Sequence, residues 1–552
     1  MMGPPPSERS VTRGLPSVLG AAAFACALAF VVTWPQVIHP TMVADHFDPY
    51  FSVWRLGHVA HALTRWPMNL FDGNIFYPAR NTLAYSDATL LQGLMAAPLL
   101  WAHVSPSLVY NLLLLAGVVG SGVGMFVLAR HLTGETGPSL VATAVFTALP
   151  YRVEHVMHLE LQWAMFVPLS LWSIHRTMES GRWRHGLLVG VFLWLQFLSC
   201  IYYGVFLSLA LLAFVPMLLT LKGHVTFKAF APPLLLGVLL AAVLTLPYAA
   251  HYRDASQSVG ARPLEEITRY SAQSISYLAS PEFNRVWGWT SDLWGAPELR
   301  LFPGLLAILL GLAAVAHRRL RLVLLYASTT FVVVQLSFGL NGTLYRLLLG
   351  HVSSLQGFRA MGRFGMIVGC TVAVLAALGT QAILRRVPFG PRMRRAFIPI
   401  LIAMMLVEYS NRPLPLSQPV NADPPDVYRV LQRAEPGPIV ELPLPTLNDS
   451  LGWEPYYQAW SVWHWRPLLN GYSGFYASGY AETLRALADF PDPRSIAALR
   501  DRHVRYVIIH RIFYPPAKYT ALALKIAQVP ELSLWGVFKD PYGEADIIEV
   551  GR

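Results

Sequence analysis

The sequence predicts a polytopic α-helical membrane protein with a small C-terminal α/β domain. Three observations predict this class. Hydrophobic residues make up 54% of the chain and charged residues only 13%, whereas soluble domains carry about 25% charged residues. About eleven apolar segments have the length and composition of membrane helices. After residue 411 the charge rises and the long apolar runs stop.

The predicted spans are apolar stretches bounded by charges or prolines. They lie at about 16–34, 107–129, 137–151, 158–175, 185–201, 203–221, 229–250, 301–316, 320–338, 363–384 and 396–411. The stretch 88–104 is apolar too, but it is short and contains Pro98, so we interpret it as a helix at the outer interface. Residues 1–15 are rich in proline and predict a disordered cytoplasmic N-terminus.

The distribution of basic residues predicts the orientation. Sixteen lysines and arginines fall in the loops on the side of the N-terminus, against three acidic residues. The positive-inside rule places this side in the cytoplasm, and an odd number of spans places the C-terminus outside. The transmembrane domain then covers 16–411, and its outer loops 35–106 and 251–300 lie on the same face as the domain 412–552. Topology explains most of the net charge of +11 without nucleic acid.

The outer segments contain recognisable local patterns. Between Tyr50 and Trp66, apolar residues recur at helical spacing, with Arg55, His58 and Arg65 as polar positions, which is typical of an interfacial helix. After residue 412, short β-like runs at 439–442 and 506–509 alternate with helix-like stretches. Those stretches lie near 423–434, 479–490 and 494–501. This alternation predicts a small α/β domain.

Two carboxylates, Asp45 and Asp48, follow the first predicted span closely. An outward-facing aspartate near the membrane would act as a general base on an acceptor hydroxyl. The pair would alternatively hold a hard divalent cation, Mg²⁺ or Mn²⁺. The structural alternative is a solvated loop carboxylate or a helix N-cap, since Asp48 precedes a proline at what would be the first helical position. Both interpretations stay open at this stage.

A second polar cluster follows the third predicted span. Arg152, His155 and His158 recur every three residues, so a continuing helix would place them on one stripe. Arg152 and the histidines would bind a phosphate, and Glu160 would orient a histidine. Ionisable residues at membrane depth are costly and usually mark a site or a pathway. The alternative is an interfacial turn whose polar groups meet lipid headgroups.

A third cluster precedes the tenth predicted span. Arg359 and Arg363 are four residues apart on the outer side, so the inside-positive bias does not explain them. Guanidinium groups bind phosphates in bidentate fashion, which predicts phosphate binding here. Contact with anionic headgroups is the alternative. The sequence contains no Walker loop, GxGxxG unit, GxSxG elbow or HExxH motif, which argues against ATPases, dinucleotide enzymes, serine hydrolases and zincins.

Four stretches and the predicted architecture resemble a known group. The stretches are Asp45–Pro49, Tyr77–Ser86, Tyr151–Trp163 and Asn470–Phe475. Together with a long acidic first outer loop, many spans and an outer C-terminal domain, they resemble the GT-C superfamily of integral-membrane glycosyltransferases. The similarity is to bacterial members of the dolichyl-phosphate-mannose mannosyltransferase and ArnT-like groups. The sequence departs from the family in having no adjacent pair of acids in its first outer loop.

The resemblance implies a transferase of the bacterial plasma (inner) membrane. It would move a hexosyl or pentosyl group from a polyprenyl-phosphate donor to a glycan, lipid or protein acceptor of the envelope, on the extracytoplasmic face. The role of base would fall on Asp48 first and on Asp45 in reserve, and the two basic clusters would hold the phosphate. Two alternatives are a transporter or flippase of a lipid-linked envelope component and a non-catalytic envelope-assembly scaffold.

Overall fold

The computed structural model describes residues 15–222, 227–420, 423–446 and 452–551. The predicted disordered N-terminus lies outside these residues, apart from Leu15. The chain divides into two compact units, each assembled from several segments. The first unit comprises the chain up to His39, Leu112–Pro247 and Ala261–Pro415, and the second comprises Pro40–Asn111, Tyr248–Gly260 and the chain from Leu416 onward.

The first unit is helical, as its long apolar runs predict. Two long helices, Pro106–Thr133 and Phe227–Val259, lie mostly in this unit and extend into the second. The other α-helices of the first unit are Leu15–Val32, Thr136–Thr147, Pro150–Glu154, Leu159–Gln162, Phe166–Ser180, Trp183–Ser199, Ile201–Lys222, Leu264–Arg269, Trp289–Trp294, Leu305–Ala313, Leu320–Ser337, Leu344–His351, Gly365–Arg386 and Pro391–Glu408. Short 3-10 turns lie at Gln36–Ile38, Ser274–Leu278, Ala314–Ala316, Gly339–Asn341, Ser353–Gly357 and Met361–Phe364.

The helix Gly365–Arg386 forms the centre of the first unit, and its buried side chains include Cys370 and Leu378. Its small residues allow neighbouring helices to approach closely. A Cβ atom at Gly379 would lie 1.7 Å from the carbonyl oxygen of Leu310, so this position requires glycine.

Within the described ranges, five helices are long and apolar enough to cross a membrane. They are Pro106–Thr133, Ile201–Leu221, Ala229–Val259, Leu320–Ser337 and Met361–Arg386. Each of the eleven predicted segments overlaps a helix, but several of those helices are short, such as Thr136–Thr147 with 12 residues. The helical class is therefore confirmed, whereas the number eleven stays a prediction.

The second unit combines helices with two small sheets. Its α-helices are Phe47–Arg65, Leu90–Trp101, Asp426–Arg433, Glu454–Trp460, Tyr480–Leu487, Pro493–Asp501 and Pro516–Ile526, and its 3-10 turns are Pro67–Asn69, Thr82–Tyr85, Ser461–Trp463 and Arg511–Phe513. The strands are β1 Val43–Ala44, β2 Leu416–Ser417, β3 Ile439–Leu442, β4 Tyr506–His510, β5 Leu532–Lys539 and β6 Glu544–Val550. These elements confirm the helix–strand alternation predicted for the C-terminal segment.

The strands of the second unit form a two-stranded and a four-stranded sheet. β1 pairs antiparallel with β2, and the larger sheet has the order β3-β4-β6-β5. β3 runs parallel to β4, with Ile439 opposite Tyr506, while the other neighbours are antiparallel. The apolar side chains of β3 and β4, Val440 and Val507 among them, pack into the core of this unit. The boundary of the predicted domain 412–552 is set by the end of the last predicted membrane span, whereas the two units are defined by contacts within the fold. That boundary therefore stays a prediction.

The helix Phe47–Arg65 confirms the predicted helix at Tyr50–Trp66, but its polar positions differ from those of an interfacial helix. Arg55 and His58 are buried, with 1% and 4% of their surface exposed. Backbone carbonyls explain how they are accommodated. Arg55 Nη1 donates to the oxygen of Asp87 at 2.6 Å, and His58 Nε2 lies 2.9 Å from that of Leu70. Buried polar groups are tolerated when they are paired in this way.

Candidate active site

Asp48 lies in the first turn of the helix Phe47–Arg65, and its carboxylate accepts a hydrogen bond from Tyr472. Tyr472 Oη donates a hydrogen bond to Oδ1 at 3.0 Å, and His46 Nδ1 lies 3.2 Å from Oδ2. The side chain is 17% exposed, so the carboxylate is oriented by protein groups and still reachable from solvent. A carboxylate held in this way is suited to take a proton from a hydroxyl.

The N-cap of this helix is His46, and the prediction that Asp48 caps it is wrong. His46 Nδ1 accepts a hydrogen bond from the backbone N–H of Asp48 at 3.2 Å, so one of the unpaired donors of the first turn is already satisfied. The helix consequently begins at Phe47, and Asp48 is its second residue. A negative charge at this position is stabilised by the helix dipole.

Asp45 lies outside the helix and is exposed. Its charge acts on the nearby phenol of Tyr50. Burial is the main cause that raises the pKa of Tyr50 to about 12, and the charges of Tyr456 and Asp45 raise it further. A hydrogen bond with Ser417 opposes this increase. Of the two carboxylates, Asp48 is the more buried, and it accepts a hydrogen bond from Tyr472. This difference in orientation favours Asp48 as the base.

Tyr472 belongs to the loop Asn470–Phe475, which is anchored to the helix Glu454–Trp460. Asn470 Nδ2 donates to Glu454 Oε1 at 3.0 Å, and the backbone N–H of Gly471 donates to Oε2 at 2.7 Å. The backbone N–H of Tyr472 donates to Gln458 Oε1 at 2.8 Å. Three hydrogen bonds thus fix the backbone from which the tyrosine reaches Asp48.

A buried polar network lies next to this loop and is hydrogen-bonded to it through Asn470. His510 lies between two carboxylates, with Nδ1 at 2.7 Å from Asp540 Oδ2 and Nε2 at 2.7 Å from Glu441 Oε2. Burial lowers the pKa of His510, but the two carboxylates outweigh it and raise the pKa to about 9. Asn470 Oδ1 accepts from the backbone N–H of Glu441 at 2.7 Å. The imidazolium of His510 therefore stabilises β3, to which Asn470 of the loop is hydrogen-bonded.

We expect Tyr472→Phe to lower the turnover number about tenfold and to leave the KM for the acceptor nearly unchanged. The substitution removes one hydrogen bond to a carboxylate, and such bonds contribute about 1.5–3 kcal/mol. Steady-state transfer kinetics check this, with Tyr476→Phe as a control in the same segment. An unchanged turnover number would show that the hydroxyl does not position Asp48.

In the first unit, the stretch 150–162 is not a continuous helix, so the predicted stripe of Arg152, His155 and His158 is wrong. Helices Pro150–Glu154 and Leu159–Gln162 are separated by a turn. Gln162 explains the break. Its Nε2 donates to the carbonyl oxygens of Arg152 at 3.2 Å and His155 at 2.8 Å, groups that a continuous helix would have bonded internally.

Arg152 is fully buried and faces backbone carbonyls. Its Nε donates to the oxygen of Phe146 at 2.9 Å and its Nη1 to that of Gln162 at 3.0 Å. The guanidinium carbon also lies 5.0 Å from the centre of the Phe146 ring. These contacts give Arg152 a structural role at the bend, and phosphate binding by this residue stays a prediction.

Glu298 is a charged residue of this region that the sequence analysis missed. Its Oε2 lies 3.2 Å from Arg363 Nη2. Burial raises the pKa of Glu298, but Arg363, His158, His155 and Arg359 outweigh it and lower the pKa to about 2. Four predicted phosphate ligands of the first unit therefore act electrostatically on one carboxylate, and Arg363 is the one that pairs with it. The position of Glu298, an acidic residue just before the predicted span 301–316, was the feature of the sequence that could have marked it as a site residue.

The two arginines of the third cluster are held differently. Arg359 Nη1 pairs with Glu266 Oε1 at 2.8 Å, and 30% of its side chain is exposed. Arg363 is only 8% exposed, and its guanidinium lies 4.7 Å from the centre of the Tyr202 ring. Arg359 is thus the more accessible of the two cations. Glu160, predicted to orient a histidine, is buried, and its charge acts on Arg363.

Comparison with solved structures identifies the fold. No protein-family model matches the sequence, and no curated protein sequence matches it either. An oligosaccharyltransferase of Archaeoglobus fulgidus matches 94% of this chain and 72% of its own, with a TM-score of 0.52 and 14% identity. ArnT from Cupriavidus metallidurans matches 98% of each chain, with a TM-score of 0.50 and 13% identity. The chain has the GT-C fold.

A third GT-C structure extends this similarity. The arabinofuranosyltransferase AftD from Mycobacteria matches 97% of this chain with a TM-score of 0.57 and 15% identity, although the chain spans only 41% of that longer protein. The predicted resemblance to the GT-C superfamily is confirmed at the level of fold. The five described helices that are long and apolar enough to cross a membrane agree with the predicted multi-pass membrane protein.

Asp45 and Asp48 are the residues predicted to hold Mg²⁺ or Mn²⁺. In the part of the chain that the structure describes, no group of three or more histidine, cysteine, aspartate or glutamate side chains is arranged to hold a metal ion. Oδ1 of Asp48 accepts the hydrogen bond from Tyr472, and Oδ2 lies 3.2 Å from His46 Nδ1. Dependence on Mg²⁺ or Mn²⁺ stays a prediction.

Proposed function

We propose that this GT-C protein transfers a hexosyl or pentosyl group from a polyprenyl-phosphate donor to an envelope acceptor on the extracytoplasmic side of the bacterial plasma membrane. The observation that carries the proposal is the oriented, partly exposed Asp48 carboxylate in a chain with the fold of membrane glycosyltransferases. The solved proteins of this fold are named as sugar transferases, namely an oligosaccharyltransferase and an arabinofuranosyltransferase.

In the proposed reaction, Asp48 removes the proton of the acceptor hydroxyl as its oxygen attacks the anomeric carbon of the donor. A carbon–oxygen bond forms to the acceptor, the bond between the anomeric carbon and the phosphate oxygen breaks, and the configuration is inverted. The electron pair leaves on the polyprenyl phosphate. Basic side chains stabilise this leaving phosphate, which is the electrostatic contribution that usually dominates such transfers.

We assign the phosphate contact first to Arg359. Its ion pair with Glu266 uses Nη1, and a guanidinium carries five N–H donors in a planar fork, so the same group is able to receive a phosphate. The ring of Tyr270, 5.0 Å from the guanidinium carbon, supports its orientation. Arg363, which pairs with Glu298, and the neighbouring His155 and His158 are assigned supporting roles.

The test is sugar transfer by the purified full-length protein in proteoliposomes. Labelled polyprenyl-phosphate hexoses and pentoses are supplied with an extracted envelope fraction, and both labelled product and released polyprenyl phosphate are measured. We expect the two to appear in equal amounts. Absence of transfer from every donor would contradict the proposal and favour a scaffold, whereas movement of intact donor between leaflets would favour a flippase. Addition of EDTA, followed by Mg²⁺ or Mn²⁺, tests the metal prediction.

We expect Arg359→Ala to raise the KM for the donor about tenfold or more, because a charge-assisted contact to phosphate is lost. Arg359→Lys should recover part of the affinity, since it keeps the charge without the planar fork. Arg346, an exposed arginine of the same unit, provides the matched control variant Arg346→Ala. Equal donor KM values for Arg359→Ala and Arg346→Ala would remove Arg359 from the phosphate site.

A further inference from the structure

The second unit contains a cavity of about 300 Å³ beside the C-terminal half of the helix Phe47–Arg65. Its lining includes His58, His61, Trp66, Asp72, Tyr77 and Trp465. All of these residues belong to the second unit. The volume lies at the lower end of ligand pockets, and the lining combines large aromatic rings with a few polar groups. None of these residues has a role in the proposed proton transfer or phosphate binding.

Two tryptophans provide the aromatic part of this cavity. Trp465 stacks on His61, with ring centres 4.4 Å apart and an angle of 17°. Trp66 approaches His61 edge-on at 5.8 Å and is 60% exposed. An exposed indole face at a cavity mouth offers an apolar platform with a polar edge.

Trp465 has a backbone φ of +50°, a conformation that a bulky L-residue adopts only at a cost. The neighbouring Arg466 fixes this turn. Its guanidinium donates to the carbonyl oxygens of Leu431 at 2.7 Å and Ala434 at 2.6 Å. Strain that the surrounding structure maintains is typical of ligand-binding positions. The tertiary contacts therefore hold the indole at the cavity.

The polar lining favours a ligand that brings hydroxyl groups. Burial lowers the pKa of His58 and that of His61 to about 4, so both imidazoles are neutral at pH 7. His58 Nε2 lies 2.9 Å from the carbonyl oxygen of Leu70 and must donate to it, which leaves Nδ1 as an acceptor. This buried Nδ1 has no hydrogen-bond partner among the described residues. Asp72 adds carboxylate oxygens, which repel acidic ligands.

The cavity and Asp48 lie along one helix. His58 and His61 follow Asp48 by ten and thirteen residues, which corresponds to roughly 15–20 Å along the axis at 1.5 Å per residue. Aromatic contacts run between them, with Phe51 stacked on Trp54 at 5.9 Å and Trp54 on His58 at 5.4 Å. A ligand that occupies the cavity and also presents a hydroxyl to Asp48 must therefore be a chain of several sugar rings.

We propose that this cavity binds a neutral sugar ring of the acceptor, which is accordingly an oligosaccharide without acidic groups. The apolar face of the ring packs on Trp66 and Trp465, and its hydroxyls donate to His58 Nδ1 and to Asp72. The assignment rests on the proposed transferase function, whose acceptor it specifies. It makes Trp66 and Trp465 specificity-determining residues for the acceptor chain.

The test is glycan binding by the full-length protein in nanodiscs, with an array of neutral oligosaccharides of mannose, arabinose and glucose beside uronic-acid and phosphorylated glycans. We expect neutral chains of several rings to be retained and acidic ones to be excluded. Trp66→Ala, at an exposed position that folding tolerates, and Trp465→Ala should each weaken binding at least tenfold. Trp535→Ala, an exposed tryptophan of the same unit outside the cavity lining, should bind like the wild type.

Two results would overturn the assignment: no neutral glycan retained by the wild type, or unchanged binding by Trp66→Ala and Trp465→Ala together. Transfer assays separate this outcome from failure of the proposed function. Transfer that is independent of acceptor length and of Trp66 contradicts the cavity assignment alone. Glycan binding without transfer from any donor contradicts the transferase and leaves the cavity as a binding site. Asp48→Asn should retain glycan binding.

Discussion

Asp48→Asn should lower the rate of sugar transfer by about 10²–10⁴-fold, the range that a positioned general base contributes. Asparagine has nearly the same shape and still accepts the hydrogen bond from Tyr472, which lies 3.0 Å from Oδ1 in the wild type. It cannot take a proton from an acceptor hydroxyl. The expected loss is therefore in the turnover number, while the KM values for donor and acceptor change little.

The controls for this experiment come from the same unit. Asp489 is exposed and lies outside the candidate site, so Asp489→Asn should transfer sugar at the wild-type rate. Asp45→Asn tests the reserve base, and we expect a modest decrease for it because Asp45 is exposed. Membrane insertion and thermal stability of each variant must match the wild type. Full activity of Asp48→Asn would exclude Asp48 as the base. A large loss of transfer rate in Asp45→Asn alone would identify Asp45 as the base instead.

Glu298→Gln should destabilise the first unit by about 3 kcal/mol, the loss typical when one partner of a buried ion pair is removed. Arg363 Nη2 lies 3.2 Å from Glu298 Oε2 and is only 8% exposed. The amide leaves that guanidinium without its countercharge. A lower midpoint of thermal unfolding in detergent measures this effect.

The pH dependence of Glu298 has a definite sign. Its pKa is lowered from 4.5 to about 2 in the folded protein, so its contribution to stability is fully present above pH 4.5 and is lost as the pH falls towards 2. Glu298→Gln should therefore lose less stability than the wild type between pH 5 and pH 3. Glu265→Gln, at an exposed acid of the same predicted loop, is the control. Parallel pH profiles for wild type and Glu298→Gln would contradict the ion-pair account.

Local patterns predicted much of the secondary structure. The run 439–442 is rich in β-branched and apolar residues, which is typical of a strand, and it forms β3. The amphipathic spacing after Tyr50 predicts the helix Phe47–Arg65. Failures occurred where a tertiary contact replaced a local one. The stripe at 152–158 breaks because Gln162 takes the backbone carbonyls of Arg152 and His155. The burial of Arg55 follows likewise from a carbonyl acceptor 32 residues away.

The sequence by itself predicted the membrane class, most helices, the strands β3 and β4 and Asp48 as a candidate site residue, because hydrophobic periodicity and the scarcity of charge are local properties of the chain. Only the tertiary structure decided which groups act together. It places Tyr472 against Asp48 across 424 residues and Glu298 against Arg363 across 65. It also gathers His58, Trp66 and Trp465 around one cavity. Such pairings depend on long-range packing of buried polar groups, which must find partners wherever the fold brings them.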